Sequence, residues 1–211
     1  VPKIIDADAR RREIAEAACR VIIEQGLPAL SLAAAGERAG LAVGSVRHYV
    51  GGHDDLRRLT LTTVGERQLR RLTASAQPLL VPQAGGSAEA RRRRILDWLE
   101  QLLPMDEERL GEATVWTAMR EAARTDPELA GELARIEDRR LELVRRVLGR
   151  IRPRWSHDTA VVEARRLAAL LRGLTLERVY APARVTPAYL QQVLRRHLAT
   201  LASRRPDRRD R

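Results

Sequence analysis

Four histidines and one cysteine are the whole stock of imidazole and thiol chemistry in this chain of 211 residues. His48 and His53 stand near Asp54 and Asp55, a grouping that would suit a divalent metal if the side chains converged. They fall instead where a short helix ends and a longer one begins. Acids at a helix N-terminus complement its unbonded N–H groups, so the metal reading is set aside. Glu107 with Glu108, and Glu137 with Asp138, are adjacent acids on helices; neighbours in sequence point to different faces and do not make a hydrolytic pair. There is no Walker-type phosphate loop, no Rossmann glycine pattern and no Cys/His zinc spacing. Cys19, set among Ala15, Ala18 and Ile22, reads as a buried structural thiol, and a lone cysteine fits a reducing cytoplasm. No enzyme activity, cofactor or metal is expected.

A different chemistry fits residues 43–49. Ser45 can bond a base edge or a phosphate. The Arg47 guanidinium can fork onto guanine or clamp a phosphate. Tyr49 offers a hydroxyl to phosphate, and Gly44 lets backbone approach closely. Upstream, Ser31 begins another short helix and can present a hydroxyl and free amides to phosphate. His48 keeps two readings, reaching DNA or packing on the helix that follows. Arg10, Arg11 and Arg12 likewise either reach the backbone or an adjacent minor groove, or form an ordinary basic helix end.

The elements that must hold these residues are helices. Ile14, Ala17, Ala18, Val21 and Ile22 make one face of a first helix, which Gly26 stops. A short helix from Ser31 to Gly40, a turn at Leu41-Ala42 and a second short helix over 43–49 follow. Gly51-Gly52 breaks the chain before a fourth helix that runs to about Ala76. Two short helices meeting at a tight turn are the plan of a helix-turn-helix, whose first helix crosses the phosphate backbone and holds the second in the major groove. A linker-like stretch, Gln77 to Ser87, contains Pro78, Pro82, Gly85 and Gly86. Further helices are expected over 88–103, 107–125, 127–150, 157–181 and 186–203, with Asp126-Pro127 as an N-cap followed by proline.

Composition agrees. Hydrophobic residues are 44% but aromatics only 3%, with no Phe, so the core is Leu, Val, Ile and Ala, as suits helix on helix. The fold class expected is all-α with about nine helices. The net charge of +11 and pI near 11.2 favour polyanionic partners. That excess is not in the first part: residues 1–75 carry twelve Lys or Arg against nine Asp or Glu. It lies in Arg91 to Arg94 and from Arg195 to Arg211. The four-arginine run reads as a solvated helix start rather than a seat for acidic partners. No apolar run approaches the roughly 20 residues that span a bilayer, and Val1 to Arg12 lacks an apolar signal core, so no membrane association is expected.

Several motifs resemble TetR-family transcriptional regulators. Arg11-Arg12-Glu13-Ile14-Ala15-Glu16-Ala17-Ala18 is similar to the family's opening helix. Ala29 to Leu32 and Glu37 to Leu41 are similar to its second helix and turn, and Gly44 to Val50 with Asp54-Asp55-Leu56 to its recognition helix and the next helix. Arg47-His48-Tyr49 most resembles the BetI-like branch, as do Val115-Trp116, Asp126 to Leu129, Leu171 to Leu174 and the helix after Thr186-Pro187. The chain departs from the family at Ala42, where Ser or Thr usually caps the recognition helix, at His53, where Lys is common, and at Val50, where an aromatic is usual. Gly36 inside the second helix is a further departure, unfavourable against Ala by about 1 kcal/mol.

The resemblance implies a DNA-binding domain at 1–52, a ligand-binding and dimerisation domain at 53–203 with 53–76 as connecting helix, and a basic tail at 204–211. It implies DNA contacts from Ser31, Val43, Gly44, Ser45, Arg47, His48, Tyr49 and His53. A cytoplasmic homodimer would bind a pseudo-palindromic operator on double-stranded DNA and be released by a small-molecule effector. Trp98, Trp116, Met119 and Arg120 are the residues expected to wall the effector pocket. The last two long helices would form the dimer bundle; their apolar stripe, Leu167, Leu170, Leu171, Leu174, Leu190, Val193, Leu194, Leu198 and Leu201, can serve plain core and interface alike.

Overall fold

A computed structural model of the chain describes residues 6–81 and 87–203, apart from the side chains of 88 and 201–203. Among these residues there are nine α-helices, one 3-10 turn at Leu27–Ala29 and no strand. The helices are α1 (Ala7–Gln25), α2 (Leu32–Ala39), α3 (Val43–Val50), α4 (His53–Leu80), α5 (Ala88–Glu100), α6 (Glu107–Ala122), α7 (Pro127–Ile151), α8 (His157–Tyr180) and α9 (Pro187–Ser203). The all-α expectation is what forms. Short polar side chains start the helices. Asp6, Ser31, Ser87, Asp106, Asp126, Ser156 and Thr186 each accept a first-turn backbone N–H at 2.8–3.2 Å. Each such cap contributes about 1 kcal/mol.

The end of α4 differs most from expectation, while α5 and α6 stop three residues short of 103 and 125. Helix α4 does not stop near Ala76 but continues through Pro78 to Leu80. Proline lacks one N–H, yet Leu72, Ala76 and Leu79 are all buried on the same side. Keeping Leu79 buried is worth about 2 kcal/mol, which offsets a single missing bond near a helix end. The remainder of the proline- and glycine-bearing stretch (82–86), the tail 204–211 and the Leu201 side chain lie outside the described residues.

The chain packs as two units. The first comprises Val1–Arg67 with Gly111–Ile136, and the second Gln68–Leu110 with Glu137–Arg211. The first unit takes in the stretch 6–52 together with parts of α4, α6 and α7. Leu56, Leu61 and Val64 of α4, Val115, Trp116 and Met119 of α6, and Leu129 and Ile136 of α7 share one core with Ile14, Ile22 and Val46. Helices α7 and α6 approach α4 closely here: a Cβ at Gly65 would meet Ile136 Cδ1 of α7 at 2.6 Å and Trp116 of α6 at 3.1 Å.

In the second unit Leu72, Trp98, Leu99, Leu143, Val147, Leu167, Leu171, Leu174, Leu190 and Leu194 form a separate core. Of the leucine stripe expected to serve core and dimer interface alike, Leu167, Leu171, Leu174, Leu190 and Leu194 are buried in this chain's own core, with Leu170, Val193 and Leu198 half-buried against it. The exposed apolar face of α8 is another one. Val162, Ala169, Gly173, Leu176 and Tyr180, spaced 7, 4, 3 and 4 residues apart, are all exposed and share one side of the helix. Helix α8 is apolar on more than one face, so its sequence alone does not assign the faces.

Candidate nucleic-acid interface

The interface is built on α1. Seven residues of that helix are buried: Ile14, Ala15, Ala17, Ala18, Cys19, Val21 and Ile22. Burial among them pushes the Cys19 thiol up to about 12, with Glu16 adding to the shift, so it is an inert core group. Helix α2 is tied across α1 by Arg38, which forks onto the Glu24 carboxylate and is held at 2.8 Å by its Nη1.

The turn between α2 and α3 rests on two glycines. Gly40 takes the left-handed conformation (φ 65°, ψ 35°) that ends α2. Leu41 N–H then bonds back to the Gly36 carbonyl at 2.8 Å. This brings the chain so close that a Cβ at Gly36 would stand 2.7 Å from the Leu41 carbonyl oxygen and 3.2 Å from Val46 Cγ2. Gly36 is therefore not a defect of α2, as its helix propensity alone implies, but the notch into which the turn and α3 fit.

Helix α3 has two opposite faces. Val46 and Val50, four residues apart, are buried in the first core. Val43, Gly44, Arg47 and His48 are exposed, Val43 to 42%, and Ser45 and Tyr49 are partly exposed. Arg47 has no protein partner among the described residues. The His48 and Tyr49 rings meet edge to face, 5.0 Å between centroids. Ala42 makes no side-chain cap, so no hydroxyl covers the free N–H groups opening α3. Ser31 is half-exposed; its Oγ accepts from Ala34 N–H at 3.0 Å, leaving its own O–H free to donate. His53 is exposed at the first position of α4. Arg10 is engaged locally with Glu13 at 2.6 Å and Arg12 lies 3.7 Å from Asp6, whereas Arg11 is exposed.

Several positioning residues left no mark in the sequence. The Asp55 carboxylate accepts Gly52 N–H at 2.7 Å, half of a capping box that fixes the corner between α3 and α4. This bond first, and Arg58 second, hold Asp55 below the usual carboxylate range. Arg57 reaches Asp126 at 3.0 Å, and Arg58 pairs with Glu128, so the start of α4 is pinned to the start of α7. Arg67 of α4 pairs with Glu16 of α1 and lies 3.7 Å from Glu112 of α6, a carboxylate 3% exposed. Asp126 as a cap and Asp55 as an acid at a helix N-terminus carried local signatures; the pairs of Arg57 with Asp126, Arg58 with Glu128 and Arg67 with Glu16 and Glu112 join residues 45 or more apart.

The residues expected to wall a pocket divide between the cores. Trp116 and Met119 are buried in the first and Trp98 in the second; Arg120 is half-buried on α6. Among the described residues no three His, Cys, Asp or Glu side chains gather where a metal ion could be held, and no helix is long and apolar enough to cross a membrane.

A family model for the C-terminal region of BetI-type transcriptional repressors matches residues 91–203. The HTH-type transcriptional regulator PksA of Bacillus subtilis (strain 168) is 28% identical over 204 residues, covering 95% of this chain and 94% of that protein. The HTH-type transcriptional regulator BetI of Burkholderia cenocepacia (strain HI2424) is 38% identical over 64 residues, 30% of this chain and 33% of that one. Among solved structures, a transcriptional regulator from Rhodococcus sp. Rha1 superposes with a TM-score of 0.71 at 30% identity, over 87% of this chain and 91% of the other. A regulator from Saccharomonospora viridis, solved in complex with choline, shares the fold with a TM-score of 0.77 at 18% identity, over 91% and 96% of the two chains. Together with the α2–α3 geometry these likenesses define a helix-turn-helix transcriptional regulator. The chain belongs to the TetR family, in its BetI-like branch.

Proposed function

We propose that this regulator is a homodimeric repressor that binds a pseudo-palindromic operator and leaves it when a small molecule binds. The observation that carries the DNA reading is the outward face of α3, where Val43, Gly44, Arg47 and His48 are exposed opposite the buried Val46 and Val50. Such a helix can enter the major groove with its anchor untouched, Arg47 on a guanine or a phosphate. Ser31 at the start of α2, Tyr49, Ser45 and His53 then serve the phosphates on either side. The open N-terminus of α3, uncapped at Ala42, leaves N–H groups available to the same polyanion.

The dimer reading rests on the exposed apolar stripe of α8, which a second copy would cover; two reading heads then address half-sites about 34 Å apart. The choline in the Saccharomonospora viridis regulator supports a small-molecule effector for the fold. Release requires that the effector bind the DNA-incompetent state more tightly, and DNA must weaken the effector by the same factor. Trp98, Trp116, Met119 and Arg120 remain the pocket residues to probe.

Fluorescence anisotropy on a selected palindromic duplex tests the reading, with Arg47→Ala beside the wild type at two salt concentrations. Tight, salt-sensitive binding by the wild type is expected, with the variant weaker by about 1–3 kcal/mol. Equal binding of selected and random duplexes, with Arg47→Ala indistinguishable, would remove the operator reading in favour of a helical module acting on other proteins.

A further inference from the structure

Glu89, Arg92, Arg93 and Leu96 of α5, with Arg195 and Leu198 of α9, line a groove of about 560 Å³ that opens to water. That volume lies within the range of small-molecule sites. Its charges are not matched within the groove. Several arginines of this chain pair with a carboxylate three residues away, as Arg10 with Glu13, Arg109 with Asp106, Arg124 with Glu121, Arg145 with Glu142 and Arg166 with Glu163. Glu89 lies three residues before Arg92, yet among the described residues no ion pair or hydrogen bond engages it, Arg92, Arg93 or Arg195. Three guanidiniums and one carboxylate thus rim the groove with a net positive charge, while Leu96 and Leu198, half-buried, supply an apolar wall from both helices.

We infer that this α5–α9 groove binds a small anionic amphiphile, its carboxylate or phosphate head held by Arg93, Arg92 and Arg195 and its apolar tail laid on Leu96 and Leu198. The chemistry needs both halves. Unpartnered guanidiniums gain most from an oxyanion that accepts two N–H bonds at once. The leucines exclude water only if the ligand brings carbon. A phosphodiester backbone, polar throughout, would leave them with nothing to bury. Length argues against a docked helix: the α5 wall runs from Glu89 to Leu96, about 10 Å, two turns at most. The inference needs only α5 and α9 and is independent of the DNA and effector readings.

Isothermal titration of the full chain tests it, with octanoate and octyl phosphate as anionic probes and octanol and octyltrimethylammonium as neutral and cationic ones. One anionic probe should bind saturably at one site per chain, and the better of the two identifies the head group. Arg93→Gln and Arg195→Gln, on different helices and both exposed, should each weaken it about tenfold with unchanged thermal unfolding. Arg196→Gln, which does not line the groove, should leave it alone, and Leu198→Asn should weaken it. Three results would overturn the inference: no saturable binding of either anion, octanol binding as tightly as octanoate, or affinities unaffected by Arg93→Gln and Arg195→Gln. A loss of random-duplex binding in Arg195→Gln, with octanoate unaffected, would likewise overturn it and make the groove a phosphate-backbone contact.

Discussion

At Gly36 the space left by a missing methyl is occupied by the Leu41 carbonyl oxygen and the Val46 side chain. Alanine is the better helix former by about 1 kcal/mol, so propensity alone predicts that Gly36→Ala stabilises α2. The contact at 2.7 Å to backbone predicts the reverse, because a carbonyl cannot swing aside as a side chain can. Gly36→Ala should lower stability by about 1–3 kcal/mol, measured by urea unfolding, and a more stable variant would refute the notch. Asp55 gives a prediction in pH. Its folded-state pKa is depressed by the Gly52 N–H and then by Arg58. The stabilisation is therefore complete above the unfolded value, near 4, and is lost as pH falls through the folded one. The gap in thermal midpoint between wild type and Asp55→Asn should be full at pH 7 and close below about pH 4. These two residues also show how unevenly the sequence speaks. Ser31, Gly40 and Asp126 act on their immediate neighbours, and their types at those positions were enough to place caps and turns. Gly36 looked like a flaw because what it makes room for is five and ten residues away.

Among the elements, α1, α4 and α6 meet at a charged knot. Glu112 is nearly fully buried, and Arg67 faces it while pairing with Glu16. Arg67→Met should cost about 2 kcal/mol, since it removes the guanidinium facing a buried carboxylate. Adding Glu112→Gln should restore part of the loss, and thermal unfolding of the double variant against each single one reads the coupling; additive losses would mean the two groups do not act together. No pattern in the sequence joins Glu16, Arg67 and Glu112, because the pairing is set by packing rather than by helical spacing. The same holds for α4, whose end was misplaced. Pro78 is a stop signal by backbone chemistry, and only the burial of Leu79 shows why the helix continues.

For the molecule as a whole, the decisive surface is the exposed stripe of α8. Sequence periodicity detected an apolar helix whose leucines could serve core and interface alike, and Leu167, Leu171 and Leu174 are buried in this chain's own core. Val162 and Leu176, exposed to 54% and 44%, are the residues a second copy would cover. Val162→Arg with Leu176→Arg should yield monomers by sedimentation velocity and weaken duplex binding, because one head alone then pays the whole entropy of association. A dimer of unchanged mass would place the interface elsewhere.

The division of labour within α3 has a consequence for how such a protein diversifies. Two buried valines, Val46 and Val50, anchor the helix, while Val43, Gly44, Arg47 and His48 are exposed. Substitutions at exposed helix positions usually change stability by no more than about 0.5 kcal/mol. If those four positions read the operator, sequence preference is interchangeable in the way a key's teeth are: a library randomised there would keep one thermal midpoint while its members sort onto different DNA sites.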